Sequence, residues 1–222
     1  HRGPDGSGVW TDSQAGIAMA HRRLSVIDLS SAGAQPMLSA SGRYVISFNG
    51  EIYNHSDIRD ELRGDEFEWR GTSDTESLLA GIETWGIERT LKKSVGMFAF
   101  ALWDKEKREL SLARDRMGEK PLYYGCNNGI LFFGSELKAI KAHPQFHGEV
   151  DRDVVALFLR HNCIPAPYSI YHRIKKLTPG TYLSIPAEKF LSADEIEPIT
   201  YWSLEQVAYQ GQSQLFSGTE EE

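Results

Sequence analysis

The stretch RYVISFNGEIY, residues 43–53, alternates apolar and polar side chains on either side of Asn49-Gly50. Alternation with a period of two is typical of a half-buried β-strand. An Asn-Gly pair between such flanks is the strongest short signal for a two-residue hairpin turn, because both residues tolerate positive φ. The local sequence therefore predicts two short strands joined at Asn49-Gly50. The same pair could instead form a site, since an Asn amide and a Gly N–H can donate to one oxyanion.

Four more strands are predicted downstream of this stretch, in two pairs that are each joined by a turn. The pairs are FAFALWD (98–104) with ELSLARD (109–115), and PLYYG (121–125) with ILFFGSE (130–136). The first pair is connected by the charged turn KEKR and the second by Asn-Asn-Gly. Repeated hairpins of this kind predict an antiparallel sheet.

Helical patterns lie between and after these strands. Residues 56–63 form one such pattern with Ser56 as a plausible N-cap, and residues 73–85 place Ser73 and Glu76 in capping-box spacing. A third pattern covers residues 151–162. Antiparallel strands with helices outside them predict an α+β fold.

Composition excludes several classes of function. The 222 residues carry a net charge of −7 and no basic stripe, which disfavours nucleic-acid binding. No apolar run approaches the roughly 18 residues of a membrane span. Cys126 and Cys163 form no disulfide framework and favour a reducing, cytoplasmic location. The seven histidines show no metal-ligand spacing, so no metal site is predicted.

Seven motifs carry a resemblance to a known family. In chain order they are HRGPDGSG (1–8), HRRLSVIDLSSAGAQPM (21–37), FNGEIYNH (48–55), GTSDTESLL (71–79), GMFAFALWD (96–104), ARDRMGEKPLYY (113–124) and FGSELKAI (133–140). Together they resemble the glutamine amidotransferase domain of the asparagine synthetase (glutamine-hydrolysing) family, a class II amidotransferase with an N-terminal nucleophile. LTPGTYLSI and the following Tyr-Trp resemble the link into that family's synthetase domain.

The resemblance implies a fold and a division into domains. The expected fold is the four-layer αββα sandwich of N-terminal-nucleophile hydrolases, without its first strand. Residues 1–147 would form the amidotransferase domain, lacking its N-terminal segment, and residues 148–222 its end and a linker. The implied partners are glutamine, a synthetase domain of the same chain and a possible second copy in a homodimer. ATP and Mg²⁺ would belong to the synthetase domain, and no cofactor is expected in this chain.

The resemblance also implies a role for five residues. In this family an N-terminal cysteine attacks the glutamine side-chain amide, with its own α-amino group as the base. Asn49 and Gly50 map onto the family's oxyanion hole. Arg23 maps onto the residue that binds the substrate α-carboxylate, for which an Arg fork is the best match. Asp74 would bind the α-ammonium, and Glu51 would complete the glutamine pocket.

Each pocket residue also has an ordinary structural explanation. Arg23 could be a surface charge at a strand edge, and Glu51 a polar strand residue. Asp74 lies in the first turn of a predicted helix, where an acidic residue favours the helix dipole, and this is compatible with substrate binding. The charged residues Arg114, Asp115, Arg116 and Lys120 predict an ion-pair network rather than a site.

The sequence departs from the family's pattern in two respects. The nucleophilic cysteine would precede HRGPD, and neither Cys126 nor Cys163 can supply an α-amino base. The Ser-Gly-Gly-x-Asp-Ser motif for ATP is also absent. The chain is therefore expected to be an internal fragment of a longer enzyme, inactive alone. One alternative is a paralogue that amidates a sugar or peptide. Another is a non-catalytic module, which retention of the glutamine-pocket residues disfavours.

Overall fold

The computed structural model describes residues 3–62, 67–214 and 218. The strands are β1 (Gly6–Asp12), β2 (Ile17–Arg23), β3 (Met37–Leu38), β4 (Tyr44–Ile52), β5 (Gly96–Asp104), β6 (Glu109–Arg114), β7 (Tyr123–Asn127), β8 (Ile130–Gly134), β9 (Lys175–Lys176), β10 (Thr181–Pro186) and β11 (Ile199–Thr200). The α-helices are α1 (His55–Glu61), α2 (Asp74–Trp85), α3 (Ile87–Lys93), α4 (Leu137–Lys141), α5 (Arg152–His161) and α6 (Leu204–Ser213). Short 3-10 helices cover Ser31–Gly33 and Ala187–Glu195.

An antiparallel sheet of six strands forms the centre of the domain. Its order is β11-β10-β6-β5-β4-β3, and the smaller sheets are β1-β2 and β8-β7-β9. The predicted hairpins β5-β6 and β7-β8 are confirmed. Strand β10 pairs with β6 from Tyr182 opposite Ala113 to Pro186 opposite Glu109, so residues beyond 147 also contribute to the central sheet.

The layers follow from the side chains that each sheet buries. One face of the central sheet carries Phe48 and Phe100 and packs on Leu78 of α2. The other face carries Trp103 and packs on the two small sheets, for example on Tyr124 of β7. The far face of β8 packs on α4 and on the loop after it, in a third cluster of buried side chains: Phe132, Ile140, Phe146 and Ile174. The predicted α+β architecture of four layers, αββα, is therefore confirmed.

The hairpin predicted at Asn49-Gly50 is wrong. Strand β4 runs without interruption through both residues, and Asn49 lies opposite Ala99 and Gly50 opposite Phe98 in β5. All nine residues of β4 have partners in β5. Because strand pairing depends on cross-strand neighbours, a long partner strand overrides the local turn preference of Asn-Gly.

The predicted start of α1 is corrected, and the predicted start of α2 is confirmed except for its capping box. Helix α1 begins at His55 with Asn54 at the N-cap position, not with Ser56. Ser73 caps α2 as predicted, since its side chain accepts from the Thr75 N–H. Glu76 does not complete a capping box, because its carboxylate accepts instead from the N–H groups of Arg70 and Gly71. This arrangement fixes the loop in front of α2 to the helix itself.

Membrane spans and metal clusters are both absent from the part of the chain that the structure describes. No helix within residues 3–62 and 67–214 combines the length and apolarity needed to cross a bilayer. Within the same residues, no group of three or more His, Cys, Asp or Glu side chains is placed to hold a metal ion. The two cysteines lie in different environments: Cys126 is buried in β7 and donates from Sγ to Phe190 O, whereas Cys163 is exposed.

Candidate active site

The second half of β4 has an open edge on the side away from β5. Strand β3 pairs with Ile46 and Val45, and the rest of this edge is met by side chains. The Phe48 N–H donates to Gln35 Oε1 at 2.6 Å, and Phe48 O accepts from His21 Nε2 at 2.9 Å. The Ile52 N–H donates to Asp74 Oδ2 at 2.9 Å.

The position of the Gly50 N–H follows from this pattern. Every second residue of a β-strand directs its N–H and C=O to the same side. Because the main-chain groups of Phe48 and Ile52 lie on the open edge, the Gly50 N–H lies there too. The edge therefore presents this N–H between two main-chain groups that side chains already hold.

Gly50 cannot carry a side chain at this place. A Cβ atom would lie 2.2 Å from Met97 O and 2.6 Å from Phe98 Cα, both in the neighbouring strand backbone. Gly96, on the facing strand, would similarly place a Cβ 2.1 Å from Glu51 O. The two glycines allow β4 and β5 to approach closely next to the Gly50 N–H.

The Asn49 side chain lies on the face of the central sheet that packs on the small sheets, and it is directed toward the three-stranded sheet β8-β7-β9. Its Nδ2 donates to Ser135 Oγ at 3.3 Å, just beyond the end of β8. An amide nitrogen carries two hydrogens, so the second can be donated to a ligand. Ser135 also lines an open cavity of about 370 Å³ with Tyr123 and Lys138. Asn49 and Gly50, consecutive in β4, thus each carry an N–H donor: the Gly50 N–H on the open edge, and an Asn49 amide that already donates to Ser135.

Asp74 is buried where α2 meets the end of β4. Its carboxylate accepts from the Ile52 N–H and, at 2.9 Å, from the Thr75 N–H. Burial raises the pKa of Asp74 above its usual value, against the effect of these two hydrogen bonds and of nearby His55. The carboxylate of Glu51 is close enough to raise this pKa further. The two acidic groups at the end of β4 would favour a cationic ligand.

Arg23 ends β2, beside the open edge of β4. Its Nη1 donates to Ser30 O at 2.8 Å, and its Nη2 donates to Asp28 O. The guanidinium is therefore fixed by the loop that follows β2 and is not a free surface charge. The structure brings Asn49, Gly50, Glu51 and Asp74 together around the end of β4. It places Arg23 at the end of β2, in the separate two-stranded sheet whose His21 donates to Phe48 O of β4.

Three residues that the sequence did not single out support this arrangement. Asp28 accepts from Ser30 through both N–H and Oγ, and from the Thr72 N–H at 2.9 Å. The hydroxyl of Ser30 and these N–H groups lower the pKa of Asp28 to about 2. Gln35 bridges β4 to α2, because its Nε2 donates to Thr75 Oγ1 at 3.4 Å. The third of these residues is Ser135, whose hydroxyl accepts from the Asn49 amide. Only the short spacing of Asp28 and Ser30 was visible as a local turn signal.

Comparison with known proteins identifies the family. Residues 1–202 match the family described as the glutamine amidotransferase domain. The chain belongs to this family. This glutamine amidotransferase domain is 37% identical over 207 residues to asparagine synthetase [glutamine-hydrolyzing] 3 of Bacillus subtilis, covering 92% of the chain and 32% of that relative. It is 44% identical over 141 residues to asparagine synthetase B [glutamine-hydrolyzing] of Escherichia coli, covering 63% of the chain and 24% of that relative. The chain thus spans about a third or less of these relatives.

A solved structure shares the fold of this glutamine amidotransferase domain. The glutamine phosphoribosylpyrophosphate amidotransferase of B. subtilis, in complex with ADP and GMP, superimposes with a TM-score of 0.57 at 22% identity. The match covers 83% of this chain and 35% of that one. At this identity the likeness shows that the two chains share a fold.

Proposed function

We propose that this domain hydrolyses the side-chain amide of L-glutamine and supplies ammonia, as the glutaminase part of a glutamine-dependent asparagine synthetase. The observation that carries the proposal is the pair of donors in β4. The Asn49 amide and the Gly50 N–H belong to consecutive residues. The Asp74 carboxylate accepts from the N–H of Ile52, two residues further along β4. The names of the relatives support the same activity.

The proposed reaction uses a cysteine at the N-terminus of the full-length protein as its nucleophile. An N-terminal cysteine would attack the amide carbon as a thiolate, after passing its proton to its own α-amino group. The carbonyl oxygen then becomes an oxyanion that accepts from Asn49 Nδ2 and the Gly50 N–H. The C–N bond breaks, and the amide nitrogen leaves as ammonia with the transferred proton. Water hydrolyses the remaining thioester to glutamate and the free thiol.

The rest of the pocket would hold the two charges of the amino-acid group. Asp74, with Glu51 beside it, would bind the α-ammonium, since a carboxylate pair at the end of β4 favours a cation. Arg23 would bind the α-carboxylate. An Arg side chain has five N–H donors. In the loop 28–30, Ser30 O accepts from Arg23 Nη1 and Asp28 O accepts from Arg23 Nη2. Further N–H groups of Arg23 therefore remain for a substrate carboxylate.

The acceptor belongs to the synthetase part of the full-length protein. There, ammonia would attack aspartate that ATP and Mg²⁺ have activated as an acyl-adenylate, in a cytoplasmic enzyme that could act as a homodimer. ATP and Mg²⁺ would be held by that part, not by the amidotransferase domain. Incubation of the full-length protein with glutamine, ATP, Mg²⁺ and aspartate should yield asparagine. Turnover only with a sugar or peptide acceptor would replace this assignment with the corresponding amidotransferase.

The decisive experiment for the glutaminase separates two nitrogen sources. Asn49→Ala in the full-length protein should lower glutamine-dependent turnover by roughly 10²–10³-fold, the usual cost of one oxyanion-hole donor. Synthesis from free ammonia should persist, because it does not use this site. Asn127→Ala is a matched control, since Asn127 hydrogen-bonds the main chain of His147 at an exposed place. Equal loss of both activities in Asn49→Ala would refute the assignment and indicate a folding defect.

A further inference from the structure

Asp28 connects two loops that the proposed glutamine pocket needs. The loop after β2 receives the Arg23 guanidinium, which donates to the main-chain oxygen of Asp28. The loop before α2 is bound by the Asp28 side chain, whose Oδ2 accepts from the Thr72 N–H at 2.9 Å. Asp28, which is buried, therefore contacts Arg23 through its main-chain carbonyl. Through its carboxylate it contacts the main chain of Thr72, two residues before Asp74.

The packing around Asp28 leaves no space between the two loops. At Gly33 a Cβ atom would lie 2.2 Å from Arg23 Nη2. At Gly71 a Cβ atom would lie 2.4 Å from Asp28 Oδ2 and 2.7 Å from Ala32 Cβ. Since non-bonded atoms do not approach this closely, a side chain at Gly33 would displace the Arg23 guanidinium, and one at Gly71 would displace the Asp28 carboxylate.

The link from Thr72 to Asp74 is also rigid. Gly71, just before Thr72, donates its N–H to Glu76 Oε2 at 3.1 Å and accepts at its oxygen from Arg59 Nη1 at 2.8 Å. Ser73 caps α2, and Asp74 is the first residue of that helix. A displacement of the Thr72 main chain would therefore move Asp74 with the start of α2.

We propose that Asp28 is a positioning residue that sets the spacing between Arg23 and Asp74. The spacing selects a ligand that carries a carboxylate and an ammonium on one carbon, as the α-amino-acid group of glutamine does. The inference rests on the proposed glutaminase, because it assigns those two charges to Arg23 and Asp74.

The connection through Asp28 is present under assay conditions. Its carboxylate accepts from the Ser30 N–H, the Ser30 hydroxyl and the Thr72 N–H. These three hydrogen bonds lower the pKa of Asp28 to about 2. The side chain is therefore ionised, and accepts all three hydrogen bonds, at neutral pH.

The test measures glutamine kinetics of the full-length enzyme with Asp28→Asn. The Asn side chain has the same size but only one acceptor oxygen, so an NH₂ group must face either Ser30 or the Thr72 N–H. We expect KM for glutamine to rise about tenfold, equivalent to about 1.4 kcal/mol, with kcat changed by less than about threefold. Synthesis from free ammonia should be unchanged.

A second substrate separates positioning from general loss of structure. Glutaramate has the same side-chain amide and carboxylate as glutamine but lacks the α-ammonium. The wild-type enzyme should prefer glutamine because both charges are bound at once. In Asp28→Asn the ratio of kcat/KM for glutamine over glutaramate should fall by about tenfold, because misaligned partners cannot bind both charges together.

Two further variants accompany Asp28→Asn, one as a control and one as a second test. Asp104 is a buried carboxylate of the same kind, which accepts from the N–H groups of Glu106 and Lys107 and from Arg43. It lies opposite Tyr44, at the far end of β4, so Asp104→Asn should lower stability and leave KM for glutamine unchanged. Ser30→Ala removes the hydroxyl that donates to Asp28 at 2.6 Å and accepts from the Ala32 N–H at 3.1 Å, and it should raise this KM about two- to threefold.

The outcomes distinguish the inference from the proposed function. The inference is overturned when Asp28→Asn behaves as Asp104→Asn in KM, or when glutamine and glutaramate are weakened equally. Arg23→Ala is measured in parallel. If KM for glutamine rises in Arg23→Ala but not in Asp28→Asn, the inference about Asp28 is overturned and the proposed function is not. A wild-type enzyme without glutaminase activity, or an unchanged KM in Arg23→Ala, overturns the proposed function. Should Asp28→Asn fail to fold, an unchanged KM in Ser30→Ala overturns the inference.

Discussion

Gly50→Ala tests how closely two strands must approach beside the proposed oxyanion hole. The added methyl group would lie 2.2 Å from Met97 O, whereas real Cβ contacts essentially never fall below 3.0 Å. The neighbouring backbone must therefore withdraw by about 0.8 Å even to reach that limit. Since the nearest atoms are main chain of β5, no flexible side chain can absorb the change.

The displacement has two expected effects of different size. Overpacking of a well-packed core costs typically about 1–3 kcal/mol of the free energy of unfolding. The Gly50 N–H would move by a similar distance, and a misplacement of about 1 Å in a catalytic group can cost roughly 10²-fold in rate. We therefore expect glutamine-dependent kcat to fall by at least about 10²-fold while synthesis from ammonia is retained.

The assay compares both activities with the midpoint of urea unfolding in the full-length enzyme. Gly134→Ala is the matched control, because Gly134 is also a strand glycine but its Cβ would have no neighbour closer than 3.8 Å. That variant should keep both activities. The reasoning is refuted by a Gly50→Ala enzyme with wild-type glutaminase activity, or by equal loss of both activities at unchanged stability.

Two more predictions follow from buried charges. Burial raises the pKa of Asp74 above 3.8, and the glutamine ammonium needs the ionised carboxylate, so kcat/KM for glutamine should fall as pH drops through this raised pKa. The same acidic limb in Asp74→Asn would contradict the role. Arg114→Lys should lower the free energy of unfolding by about 3 kcal/mol, because Arg114 donates to the main-chain oxygens of Lys120, Leu177 and Gly118. Exposed Arg152→Lys is the control in urea denaturation, and an equal change in both variants would refute the prediction.

Local pattern was sufficient where an element and its signal share one stretch of chain. The apolar face and Ser73 cap of α2 were read from thirteen consecutive residues, 73–85. Strands β5 and β6 lie next to each other in sequence, so their charged turn was also visible. The hairpin predicted at Asn49-Gly50 was wrong because β5, the strand that pairs with these residues, begins only at Gly96. The sequence around Asn49 alone does not distinguish one long strand from a hairpin.

The supporting contacts of the site were not predictable from local sequence. Asp28 meets Thr72 across 44 positions, Gln35 meets Thr75 across 40, and Asn49 meets Ser135 across 86. Such pairs exist only once the layers are assembled. The resemblance named residues of the pocket because it compares whole motifs, yet it gave no information about what holds them in place.

The ion-pair network predicted around Arg114 and Asp115 is wrong for a related reason. The Arg114 guanidinium donates to main-chain oxygens, and Asp115 accepts from the N–H groups of Phe98, Met117, Glu119 and Lys120. Opposite charges close in sequence suggested partners for each other. In the fold, each charge instead satisfies main-chain groups that would otherwise be buried without a partner, which costs about 1–3 kcal/mol per group.

The open edge of β4 also affects the solubility of the protein. An exposed strand edge invites the backbone of another chain to pair with it, which is a common route to aggregation. Here Gln35, His21 and Asp74 occupy that edge with side chains. The groups that shape the proposed pocket therefore also prevent edge-to-edge association. Variants of these residues should be judged by their solubility as well as by their activity.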